Sequence, residues 1–162
     1  MARVHLIIGP VGSGKSTFGL QLAQERRAVR LTLDEWFSRL FSRDRPETGV
    51  PAWYRERAAR CIEQLWAVAT QVLHTGVDVV LEVGLLQREE RARFYERLDA
   101  AGLAHTVYVV DAPKEERWAR VERRNAERGP TFSMEVTRPV FDFASALWEP
   151  PDDEERSERE VR

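Results

Sequence analysis

The chain has 162 residues, a length that fits one domain with a proper core, and its hydrophobic content of 43% is that of an ordinary globule. A formal net charge of −2 gives no general attraction to nucleic acid or to an anionic membrane. The single cysteine, Cys61, excludes an intramolecular disulfide. No apolar run approaches the roughly 20 residues of a membrane span, and Met1 leads straight into a strand rather than a signal peptide, so a cytoplasmic protein is expected.

The first predicted element is a buried strand over the apolar run Val4-His5-Leu6-Ile7-Ile8. A helix over 16–25 follows, with Phe18, Leu22 and Ala23 among its apolar positions. Between them lies Gly9-Pro10-Val11-Gly12-Ser13-Gly14-Lys15-Ser16-Thr17, which fits G-x-x-x-x-G-K-[ST], the phosphate-binding P-loop. Gly9, Gly12 and Gly14 allow backbone conformations closed to residues with a Cβ, so successive N–H groups can turn inward around an anion. The helix starting near Lys15 adds unpaired N–H groups and a positive dipole end. Lys15 is suited to the β and γ phosphates, and the Ser16 hydroxyl to Mg²⁺. Of the 25 lysines and arginines only Lys15 and Lys114 are lysine. A glycine-rich connection of purely structural purpose would not need the preceding strand, the following helix and all three glycines together. The chain therefore reads as a nucleotide-binding protein.

Val29-Arg30-Leu31-Thr32-Leu33 reads as a second strand, with Asp34 at its carboxyl end and a helix over 35–41. The turn-forming, charged stretch 42–51 predicts an exposed, mobile loop. A long helix is expected over 52–75, ended by Gly76. Its apolar positions Ala58, Cys61, Ile62, Leu65, Trp66, Ala69, Val72 and Leu73 recur at helical spacing. The third strand spans 77–83 and contains Glu82; a helix over 86–101, a strand over 104–110 and a charged helix over 113–128 follow, broken by Gly129-Pro130. Thr137 is a fitting N-cap for a last helix through Trp148, which Pro150-Pro151 ends, and the charged stretch 152–162 is expected to be disordered. Strands alternating with helices imply an α/β fold, a parallel sheet of about four to five strands with helices on both faces. Ligands in such sheets gather at the carboxyl ends of the strands, where the P-loop, Asp34, Glu82 and the segment after Asp111 converge.

Asp34 at that edge suits a carboxylate that takes a proton from an acceptor hydroxyl or helps hold the metal; its alternative is a helix N-cap. Glu82, near the end of a buried strand, needs a cation, water or hydrogen-bond partner, which Mg²⁺ or an arginine would supply. Arg120 and Arg124 are spaced i, i+4 on one helix face, where like charges repel unless an anion sits between them, so phosphate contact is expected of this pair. Arg123 and Arg128 read as solvated. Trp36, Phe37, Trp53 and Tyr54 read as core aromatics that flank the loop, and His5, His74 and His105 lack metal-ligand spacing.

With these residues the chain resembles the small P-loop kinases, especially the ATP-binding "predicted kinase" group related to chloramphenicol phosphotransferase, zeta toxins and the kinase domain of polynucleotide kinase. The resemblance covers nearly the whole chain. It is carried by Gly9 to Thr17, Leu33-Asp34-Glu35, the strand ending at Glu82 with Arg88 to Arg93 after it, Trp118 to Asn125, and the closing Thr131-Phe132, Val136-Thr137, Phe141-Asp142-Phe143 and Trp148-Glu149-Pro150-Pro151. It implies a nucleoside/nucleotide-kinase-like P-loop NTPase fold over 1–151 with an arginine lid near 113–131. It also implies ATP and Mg²⁺ as cofactors, Asp34 as general base, and Arg120 and Arg124 as clamps on the phosphates. Many relatives carry aspartate where Glu82 stands, sometimes followed by threonine and asparagine; here Val83-Gly84-Leu85 follows, which counts against a polynucleotide-kinase-like acceptor site. The expected activity is transfer of the γ-phosphate of ATP to a hydroxyl of a small molecule. The rivals are a 5′-hydroxyl polynucleotide kinase and a nucleotide-binding switch with slow ATPase activity.

Overall fold

A computed structural model describes residues 1–130, 132–158 and 161; Thr131 and positions 159, 160 and 162 of the charged tail lie outside the described residues. Four strands, β1 (Val4–Ile8), β2 (Val29–Thr32), β3 (Val79–Glu82) and β4 (His105–Val109), form one parallel sheet in the order β2-β3-β1-β4. Val4 pairs with Val79 on one side and His105 on the other, and Thr32 pairs with Glu82. The connecting helices are α1 (Lys15–Arg26), α2 (Leu33–Phe41), α3 (Val50–His74), α4 (Arg88–Ala100), α5 (Lys114–Glu127), α6 (Arg138–Ala146) and α7 (Asp153–Glu158).

The two-residue period of a strand explains how the sheet is covered. Val4, Leu6 and Ile8, Val79 and Leu81, and Val107 join the larger core with Leu65 and Ala69 of α3 and Phe94 and Leu98 of α4. Ile7, Val80 and Tyr108 alternate onto the other face, where Phe18, Leu22 and Ala23 of α1 cover them. Glu82 follows Leu81 and so falls on the α1 face, toward the helix that carries the P-loop.

The structure departs from the expectations in three places. Asp34 is not an N-cap: Thr32 caps α2, its side chain accepting from the Glu35 N–H at 3.3 Å, which leaves Asp34 as the second helical residue. The stretch 42–51 is partly ordered by a 3-10 turn over Ser42–Asp44, and α3 begins at Val50, because Gly49 takes a left-handed conformation ahead of Pro51 in the first turn. The tail is the third departure. Residues Asp153–Glu158 form α7 rather than disordered chain, since Glu155 is buried against Arg91 and Tyr95 and charge here is paired instead of solvated.

Candidate active site

The P-loop leaves β1 and wraps onto the N-terminus of α1. Its glycines are required by close approach. A Cβ on Gly9 would lie 2.0 Å from the Val110 carbonyl oxygen, and one on Gly12, at φ +78°, would lie 2.6 Å from that of Arg117. Arg117 braces the loop further. Its buried guanidinium donates to the carbonyls of Ala112 (3.0 Å) and Val11 (3.0 Å) and to Ser145 Oγ (3.1 Å), tying the P-loop to α5 and α6. Sequence alone assigned Arg117 no role, and only its burial reveals one.

A cavity of about 440 Å³ opens at the carboxyl ends of the strands. Its walls bring together Gly9, Val11, Gly12, Gly14, Lys15, Ser16 and Thr17 of the P-loop with Asp34, Glu82, Arg120 and Arg124. Of the remaining P-loop candidates, Ser13 is buried behind the loop and Pro10 holds the lysine: Lys15 Nζ donates to the Pro10 carbonyl at 2.8 Å. Desolvation lowers the Lys15 ammonium below its ordinary range, opposed by the negative charges of Asp34 and Glu82. The stretch 42–51 contributes nothing to the wall.

Glu82 has both kinds of partner that the sequence left open. Arg30 Nε donates to Glu82 Oε1 at 2.9 Å and a second guanidinium nitrogen of Arg30 reaches Glu35, while Ser16 Oγ faces Glu82 Oε2 at 3.4 Å. Burial raises the Glu82 carboxyl, and Arg30 opposes this shift. Gly19 of α1 makes the arrangement possible, because a Cβ there would sit 2.3 Å from Glu82 Oε1 and 3.3 Å from Arg30 Nε. Helix propensity alone says that alanine at Gly19 should stabilise the protein by up to ~1 kcal/mol. Overpacking of this kind costs roughly 1–3 kcal/mol, so Gly19→Ala is expected to lower the melting temperature. A thermal denaturation curve decides, and a raised midpoint would show that the Arg30–Glu82 pair moves aside freely.

On the lid side, Arg120 Nη1 donates to the Ser13 carbonyl at 3.1 Å, and Arg120 Nη2 lies 3.8 Å from Glu116 Oε2. Arg124 is more enclosed: its Nε is buried with no hydrogen-bond partner among the described residues, and desolvation pulls its guanidinium down while Asp34 supports its charge. Arg123, expected to be solvated, is exposed but borders the cavity. Asn125 clamps the chain that follows the lid, donating to the Val136 carbonyl (2.8 Å) and accepting from its N–H (3.2 Å), which holds Val136 and neighbouring Met134 against the cavity. Of the aromatics, Phe37 is core, packed by Phe41, Trp53 and Tyr54, but Tyr54 also reaches the cavity. Desolvation and the nearby charge of Asp34 raise its phenol.

A parallel sheet with a P-loop after β1, a carboxylate after β2 and arginines after β4 is the framework of a P-loop phosphotransferase. The AAA_33 family, described as "AAA domain", matches residues 4–151, and the chain belongs to this family of P-loop kinases. A shikimate kinase from Psychrobacter sp. (strain PRwf-1) is 36% identical over 83 residues, which make up 47% of this chain and 44% of that protein. The chain thus matches less than half the length of that curated relative. A sugar kinase from Janibacter sp. HTCC2649 superposes with a TM-score of 0.64 at 16% identity, covering 100% of this chain and 84% of the other. A chain of the Pnkp1/Rnl/Hen1 RNA repair complex does so with 0.66 at 18% identity, covering 97% and 46%. These two likenesses establish a shared fold.

Proposed function

We propose that this kinase transfers the γ-phosphate of ATP to a hydroxyl group of a small molecule bound beside Asp34. The observation that carries the reading is the meeting of Lys15, Asp34 and Arg124 in one cavity, close enough that Asp34 influences the charge of both cations. The buried Arg124 Nε, without a hydrogen-bond partner among the described residues, fits a phosphate chain lying between the P-loop and the lid. ATP would lie on the P-loop backbone and Lys15, with Mg²⁺ held by Ser16 and, directly or through water, by Glu82, leaving Asp34 for the acceptor. When bound, the metal would neutralise charge between the β and γ phosphates.

The chain's own groups then have distinct tasks. Asp34, at the start of α2, orients the acceptor hydroxyl and takes its proton at a carboxylate oxygen. The Tyr54 hydroxyl is available to donate to the same acceptor. Arg120 and Arg124 offer fixed guanidinium groups where negative charge spreads during transfer. Lone Cys61 is buried and unpaired, in keeping with a reducing, cytoplasmic setting.

The reading is tested by following ADP release from Mg-ATP while small hydroxyl compounds, shikimate and sugars first, are offered one at a time, with a 5′-hydroxyl oligonucleotide alongside. Acceleration by a small compound with no labelling of the oligonucleotide is the expected result. Efficient labelling of the oligonucleotide would replace the small-molecule reading with a polynucleotide kinase. Hydrolysis indifferent to every acceptor would replace it with a nucleotide switch.

The lid gives a second, graded expectation. Arg124→Ala is expected to lower kcat by about two to three orders of magnitude, the effect of removing one donor that stabilises developing charge, and to raise the ATP dissociation constant much less. Arg120→Ala should act in the same sense. Arg123→Ala should change either quantity only slightly, since Arg123, although it borders the cavity, is exposed and stands about 100° around the helix from the more enclosed Arg124. Arg124→Lys should recover only part of the rate, because an ammonium lacks the planar fork. Steady-state kinetics with calorimetric ATP titration separate the two quantities, and equal small effects at all three positions would remove the lid assignment.

A further inference from the structure

The least expected charged group in the molecule is Arg91 of α4, whose side chain is wholly buried. Four of its contacts are resolved. Nε donates to Glu155 Oε1 at 2.7 Å and Nη2 to Glu155 Oε2 at 2.9 Å, a bidentate pair with α7; Nη1 donates to the carbonyls of Leu85 (3.3 Å) and Leu86 (3.1 Å). Tyr95 donates to Glu155 Oε1 at 2.8 Å, and the guanidinium lies over the Trp148 ring. The carbonyls belong to the loop that follows Glu82, in which Leu85 holds a left-handed φ of +58° and Gly84 and Leu86 form part of the cavity wall. The same C-terminal stretch touches the loop twice more, through the Glu149 N–H on the Leu86 carbonyl (2.9 Å) and the Glu149 carboxylate on the Arg88 N–H (2.7 Å).

We propose that Arg91 and Glu155 are positioning residues, and that α7 is a clasp fixing the 84–86 wall of the cavity. A left-handed leucine is strained and persists only where its surroundings dictate it. Here the surroundings are two carbonyls held by one guanidinium, whose burial is tolerable because Glu155 neutralises it. The charged segment after Pro151 therefore shapes the cavity from behind its wall without entering it. The functional consequence rests on the reading that this cavity holds the acceptor; the clasp itself is tested without an acceptor.

Two full-length variants separate clasp from mere stability. Arg91→Lys keeps a cation for Glu155 but, with three donors on one nitrogen in place of a planar fork, cannot make all four hydrogen bonds. Arg91→Met with Glu155→Leu removes both charges together, an exchange that buried ion pairs often tolerate without loss of stability. Hydrogen–deuterium exchange is read on the peptide covering 83–87, with the melting temperature and calorimetric Mg-ATP affinity measured on the same samples. In both variants the 83–87 amides are expected to exchange roughly ten- to a hundredfold faster, the effect of losing one or two charge-assisted hydrogen bonds, while the P-loop peptide and Mg-ATP affinity stay as in the parent. Unchanged exchange at 83–87 in a folded variant would overturn the clasp, as would faster exchange spread evenly along the chain in step with a lower melting temperature. A parent protein that fails to bind Mg-ATP would instead refute the kinase reading and leave the exchange result standing.

Discussion

Replacing Lys15 by alanine is expected to weaken Mg-ATP binding by roughly two orders of magnitude, the worth of one or two charge-assisted hydrogen bonds, and to abolish phosphoryl transfer. The fold should not suffer. Lys15 is an ammonium at the mouth of α1 whose one resolved hydrogen bond goes to the Pro10 carbonyl, and desolvation already works against its charge. Losing it removes an unfavourable ion from an anion site, so the melting temperature should match or exceed that of the parent. Isothermal titration with Mg-ATP and a thermal melt on the same preparation are sufficient. Unaltered affinity together with retained turnover would remove the P-loop from its assigned role.

The second large effect is expected at Asp34. Asp34→Asn should bind Mg-ATP nearly as the parent does and lose acceptor phosphorylation by roughly two to four orders of magnitude, the range for a group that takes a proton in the transition state. Thr32, not Asp34, caps α2, so stability should fall by no more than the ~0.3–1 kcal/mol of a carboxylate near a helix N-terminus. Near-parental turnover in Asp34→Asn would exclude it as the base.

The features legible in the sequence were those whose physics is local. Gly9 to Ser16 declares an anion cradle because glycine, lysine and hydroxyl are needed at fixed offsets in one turn, and a parallel sheet follows from alternating strands and helices. Glu82 could be singled out as a costly buried acid. Its partner could not, because Arg30 meets it only through the pairing of β2 with β3 and the missing Cβ of Gly19. Arg117 and Arg91 sit in runs of charge that composition cannot sort, since burial of one arginine among several depends on what the chain lays over it later. The same averaging hid α7: a segment rich in carboxylates reads as solvated until one of them, Glu155, proves to be the counter-ion of a buried cation. Tyr54, read as a core aromatic, is exposed and lines the cavity while packing on Phe37.

The placement of β1 also governs how the molecule comes into being. The strand that leads into the P-loop lies inside the sheet, hydrogen-bonded to strands that begin only at Val79 and His105. Such distant pairings are slow to form, because a long stretch of chain must be closed before any contact rewards the closure. During synthesis from the N-terminus, the glycines and Lys15 are therefore made among the first residues and positioned among the last. The cradle is complete only after β4 has docked and Arg117 of α5 has closed on the Val11 carbonyl. A nascent chain thus carries the P-loop sequence well before the strands that flank β1 in the sheet have been made.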